Sequence, residues 1–169
     1  MKRIIFLIAL LLLPALLYAG DAKYKTIVIK EFSLEGARIQ ENADTKAFAE
    51  TLPTDFARTL KAYLEDMSLA ENVVIYKEGE VYENAVIVEG NFTKITAGST
   101  AARIIVGFGA GSSTVGAQWK VKDAQTEKEL GSFEKNSHSA SGVTGAMALR
   151  SDSQYLAKYV ANTIKKLLK

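Results

Sequence analysis

The sequence predicts an α/β (α+β) single domain: a mixed, mostly antiparallel sheet of about five strands covered by two helices, in the order β-α-β-β-β-β-α. Three observations carry this. Val115, Ala117, Trp119 and Val121 alternate with Gly116, Gln118, Lys120 and Lys122, the period-two pattern of a strand with one buried face. Phe56, Leu60, Tyr63, Leu64 and Met67 recur at helical spacing. Near the C-terminus, Tyr155, Leu156, Tyr159, Val160, Ile164, Leu167 and Leu168 form a broad apolar helical stripe.

The elements follow in chain order. Lys25–Phe32 is rich in β-branched residues and reads as a first strand. Glu35–Asp44 is polar, contains Gly36 and reads as a loop. Thr45–Asp66 reads as helical, interrupted at Pro53, which suits the first turn of a helix with Asp55 near its positive end. Lys46–Leu52 then becomes a separate turn or a kinked extension. Asn72–Tyr76 is a short second strand, and Glu78-Gly79-Glu80 a turn. Ala85–Ile95 is a long third strand in which Gly90 marks a bulge or a close backbone approach. Thr114–Asp123 and Glu129–Lys135 form a hairpin about the turn Ala124–Glu127. Ser137–Gly145 reads as a flexible Ser/Gly connection. Ser151 with Gln154 reads as the capping box of the last helix, whose final turns carry Lys165, Lys166 and Lys169.

Residues 1–20 read as a secretory signal peptide. Lys2 and Arg3 precede the apolar run Ile4–Leu17, and Ala19 and Gly20 supply a small-residue cleavage site. The alternative is an uncleaved anchor, since Ile4–Gly20 sits at the lower end of the roughly 17–25 residues a bilayer span needs. Residues 21–169 are then one domain. Removing Lys2 and Arg3 leaves nineteen basic against nineteen acidic residues, a balance that argues against nucleic acid as a partner. The chain holds no cysteine, which excludes disulfides, thiol nucleophiles, thiolate metal sites and a lipid anchor on cysteine. Membrane contact is expected only through the folded domain or an uncleaved signal.

No catalytic or cofactor pattern emerges. His138 is the only histidine, in a Ser-rich stretch, and no Gly-x-Ser-x-Gly elbow accompanies it. A histidine-based metal site needs more such ligands. Glu78, Glu80 and Glu83 read as a solvated acidic turn rather than a calcium loop. The segment Gly98–Ser113 is the unusual one. Gly107, Gly109 and Gly111 lack the third glycine offset and the following helix of a dinucleotide fingerprint. Ile104, Ile105, Val106 and Phe108 read either as a buried strand ending in a glycine turn, or as an apolar loop that docks on a protein or a membrane surface.

Val88-Glu89-Gly90-Asn91-Phe92-Thr93, Gly98–Arg103, Val106-Gly107-Phe108-Gly109-Ala110-Gly111 and Trp119–Ala124 together resemble the domain of unknown function 4410 family of bacterial exported proteins, many of them lipoproteins. The resemblance implies an envelope location and an α/β domain, and it implies no activity, cofactor or catalytic residue. The chain departs from the pattern at Glu127, where the family more often has glycine, and in lacking the anchoring cysteine.

The sequence expectation is therefore a non-enzymatic domain of the periplasm or cell envelope, without cofactor, that binds an envelope protein or itself. Its expected interaction segment is Arg103, Ile104, Ile105, Val106, Gly107, Phe108, Gly109 and Gly111. A second reading is a small-ligand or glycan-binding module that stacks on Trp119, Tyr76 or Tyr82. A third is a hydrolase using carboxylates or His138 with Ser139.

Overall fold

The computed structural model describes residues 24–99, 111–139 and 145–169. The chain runs β1 (Thr26–Ile29), β2 (Arg38–Ile39), α1 (Ala43–Asp66), β3 (Asn72–Ile75), β4 (Ala85–Thr96), β5 (Thr114–Asp123), β6 (Glu129–His138) and α2 (Ala146–Leu167). The strands form one mixed sheet in the order β3-β1-β4-β5-β6, with β2 paired to β4 beyond β1. Strand β1 pairs parallel with β3 and β4, whereas β4-β5 and β5-β6 are antiparallel and much longer. The predicted class and layering hold, and β2 makes the strand count six.

Both helices lie on one face. Ile27, Ile29, Val86, Val88, Phe92, Val115, Ala117, Trp119 and Val121 point toward them, and α1 contributes Leu52, Phe56, Leu60 and Leu64. Phe32, Phe56 and Phe92 form the centre, with ring centroids 5.0, 5.8 and 5.3 Å apart. Each such large apolar side chain contributes about 1.5–3 kcal/mol when taken out of water. Helix α1 lies over the β3 end of the sheet, and α2 over β5 and β6.

Several local expectations are corrected. The expected loop Glu35–Asp44 contains β2, because Arg38 and Ile39 pair in parallel with Lys94 and Ile95, a long-range contact without a local signal. Pro53 lies inside one continuous helix rather than at a start. Its missing N–H costs α1 one hydrogen bond, which burial of Ala49, Leu52, Phe56 and Ala57 around it offsets. The helix begins instead at Asn42, whose side-chain oxygen accepts the Thr45 N–H at 2.8 Å. Helix α2 starts at Ala146 after Gly145, with no side-chain cap, so Ser151 is an interior residue. Full burial of Ala148 and Leu149 draws this extra turn onto the sheet. Strand β6 continues through Ser137 and His138, because both pair with β5, so these two residues do not belong to the expected connection, whose residues 140–144 lie outside the described residues.

Gly90 is a close approach rather than a bulge. A Cβ there would sit 2.5 Å from the Gln118 carbonyl and 2.8 Å from the Trp119 Cβ. The register shift of β4 falls between Phe92 and Lys94.

Candidate functional site

Of the expected interaction segment, Arg103, Ile104, Ile105, Val106, Gly107, Phe108 and Gly109 lie outside the described residues, as does the expected signal at 1–20. Gly111 is described. Its carbonyl accepts the Ser99 N–H at 2.9 Å, which sets the residues on either side of the segment next to each other. On the helix side, the Ser113 hydroxyl donates to Asp152 Oδ2 at 2.6 Å, and both side chains are buried. On the opposite face, Thr114 Oγ1 and His138 Nδ1 are 3.0 Å apart across the β5-β6 pair. His138 is thus paired with a threonine and Asp152 with a serine, and the His138 ring lies near enough to Asp152 to act on its charge. Among the described residues, no group of three or more His, Asp or Glu side chains is placed to hold a metal ion.

The sheet face away from the helices is polar. Glu89 contacts Lys30 and Lys120 at 3.2 Å each and also Lys122. Burial by itself raises the Glu89 carboxyl, but the three lysine contacts outweigh it and hold the group at about 2. Asn91 Oδ1 accepts from Gln118 Nε2 at 2.9 Å on the same face. Lys30, Glu89, Asn91, Gln118 and Lys120 line an open groove of about 980 Å³, which Trp119 and Phe133 also border. Trp119, which borders this groove, is 2% exposed, stacked on Phe133 at 5.7 Å and edge-on to Tyr159 at 6.2 Å. Tyr76 and Tyr82 are half-buried and lie against each other, with Lys30 over the Tyr76 ring.

The large exposed apolar side chains concentrate on α2. The sequence stripe assigns Tyr155 and Tyr159 to the core, but Leu149, Leu156, Val160 and Ile164 fill it, with Ala157 and Ala161 between them. Tyr155 sits one residue, about 100° of helix rotation, before Leu156 and so turns outward. Met147, Tyr155 and Tyr159 are 72%, 59% and 39% exposed. They are spaced eight and four residues apart and wind along one side of the helix. Lys135 of β6 lies over the Tyr159 ring at 5.0 Å, so the stripe adjoins the outer strand of the sheet. β6 is an end strand, and its outward backbone edge has no partner strand among the described residues. Sequence reasoning missed this surface. Period alone placed the tyrosines inside, and the signal against it was their alternation with the smaller Ala157 and Ala161.

Similar structures share this fold at low identity. One is the PelC dodecamer from Paraburkholderia phytofirmans, 16% identical, covering 82% of this chain and 86% of that chain at a TM-score of 0.50. A variant of that dodecamer in another crystal form gives the same identity and score, covering 82% of this chain and 85% of that chain. An uncharacterised protein is 7% identical, covering 86% of this chain and 92% of that chain at a TM-score of 0.51. No curated protein matches the sequence. A family model matches residues 27–146, from β1 to the first residue of α2, so the chain belongs to the family described as domain of unknown function (DUF4410).

Proposed function

We propose that this chain is a non-enzymatic exported domain of the periplasm or cell envelope that binds protein, and first of all further copies of itself, through the outer face of α2 and the adjoining edge of β6. The observation that carries this reading is the exposed Met147–Tyr155–Tyr159 stripe beside an end strand. Exposed aromatic and methionine side chains are enriched where proteins meet. An uncovered strand edge offers backbone groups for pairing. That a protein of the same fold, PelC, is a dodecamer supports self-association as the first use of such a surface. The pattern of residues 1–20 supports export. The segment 103–109 is outside the described residues, and the proposed surface does not include it.

The test places a photo-crosslinking amino acid at position 155 in the full chain expressed in intact cells. The expected product contains two copies of this chain. Products that never contain a second copy overturn the reading.

A further inference from the structure

The two ends of the sheet carry opposite charge. Residues 43–84, which supply α1, β3 and the connection to β4, hold nine acidic against four basic residues. Residues 124–169, which supply β6 and α2, hold seven basic against four acidic residues. Because α1 covers the β3 end and α2 the β6 end, this separation in sequence is also a separation in space.

The outer surfaces sharpen the contrast. At the β3 end, Asp66, Glu78 and Glu83 are exposed and take part in none of the salt bridges among the described residues. Glu65, paired with Lys61, and Glu71, paired with Lys25, line an open notch of about 400 Å³ beside β3. At the other end, Lys158, Lys166 and Lys169 are exposed, and none forms a salt bridge among the described residues, while Arg150 lies in the groove between the helices beside Asp44 and Asp55 of α1. Of the four acids at that end, Asp152 is buried against Ser113, whereas Glu127, Glu129 and Glu134 on and beside β6 are exposed, so the positive excess belongs to the outer face of α2.

We infer that copies of this chain associate head to tail, with the basic β6–α2 end of one copy seated on the acidic β3–α1 end of the next. The inference rests on the self-association reading and specifies the second of its two surfaces. A two-fold contact between identical ends sets like charge against like charge, which opposes association. A contact between unlike ends pairs the two fields and brings two end strands together. Such a heterologous contact leaves one free end of each kind, so assembly continues until a ring closes or an open filament grows.

The test uses protein purified after expression of the full chain, examined by sedimentation velocity with thermal melting as the folding control. One variant combines Glu65→Lys with Glu71→Lys, and a second combines Lys158→Glu with Lys166→Glu. Each variant alone is expected to sediment as a monomer, while an equal mixture forms a mixed complex, because the mixture restores one native pair of ends. The wild-type assembly is expected to dissociate when salt rises from about 0.1 M to about 1 M, shortening the screening length from about 10 Å to about 3 Å. A wild-type chain that associates while both variants associate equally well overturns the head-to-tail contact and leaves self-association standing. A wild-type chain that is monomeric throughout overturns both. Monomeric protein that binds vesicles of anionic lipid, and loses that binding with Lys158→Glu and Lys166→Glu, assigns the basic face to a membrane and also overturns the inference.

Discussion

The Ser113 hydroxyl donates to the Asp152 carboxylate across 2.6 Å, with both side chains buried, and ties the residue before β5 to the second turn of α2. Burial raises the Asp152 carboxyl above its ordinary value, and the Ser113 bond and the charge of His138 offset part of that rise. A carboxyl raised in the fold binds more protons there than in the unfolded chain. Its contribution to stability therefore falls as pH rises from the ordinary value of 3.8 through the raised one, and is constant above it. Asp152→Asn keeps an oxygen for Ser113 and removes the buried charge. It is expected to stabilise the protein at about pH 7 and to flatten this part of the pH profile, read from denaturant midpoints. Ser113→Ala leaves the carboxylate without its hydroxyl and is expected to cost about 1.5–3 kcal/mol.

Glu89 works in the opposite direction. Its carboxyl is held at about 2, against an ordinary 4.5, by Lys122, Lys120 and Lys30. A depressed carboxyl contributes stability that is present above 4.5 and lost as pH falls toward 2. Glu89→Gln is expected to lower stability at neutral pH by about 1–3 kcal/mol, and the difference from wild type is expected to narrow in acid. A difference that stays constant with pH contradicts the role given to the three lysines.

At Gly90 an added Cβ would meet both β5 and the Phe32 ring. Gly90→Ala places a methyl group 2.5 Å from the Gln118 carbonyl, inside contact distance with backbone. The expected loss is about 1–3 kcal/mol, measured as a shift of the unfolding midpoint. Ala tolerated there at no cost shows that the β4-β5 spacing is looser than described.

Glu127 closes the β5-β6 hairpin with φ +56°, a left-handed conformation that favours glycine. The turn around it is well bonded: Asp123 Oδ1 accepts from Gln125 and Thr126, and the Glu127 N–H donates to the Asp123 carbonyl. Glu127→Gly relieves the strain but frees the unfolded chain, so a gain of up to about 1 kcal/mol is expected. A loss of comparable size shows that the contact of Glu127 with Lys122, at 3.6 Å, outweighs the backbone.

The regular elements were legible because their signals are local. The alternation of Val115 to Val121 placed β5 with both ends correct, and Phe56, Leu60 and Leu64 identified the buried face of α1. What long-range packing decides was not legible. Pro53 reads as a boundary until Leu52 and Phe56 are seen buried on either side of it. Ser151 reads as a cap until Leu149 is seen in the core. Tyr155 and Tyr159 fit an apolar stripe by period, and only the position of the sheet shows that they face outward. Charge told least of all: the even balance of residues 21–169 hides an acidic end and a basic end.

Association of copies of this chain is read from the mass of the protein in solution. Sedimentation velocity on the purified wild-type chain over a hundredfold range of concentration is expected to show species larger than the 18.4 kDa chain that grow with concentration and are lost in Tyr155→Asp. A single species of monomer mass at every concentration contradicts self-association.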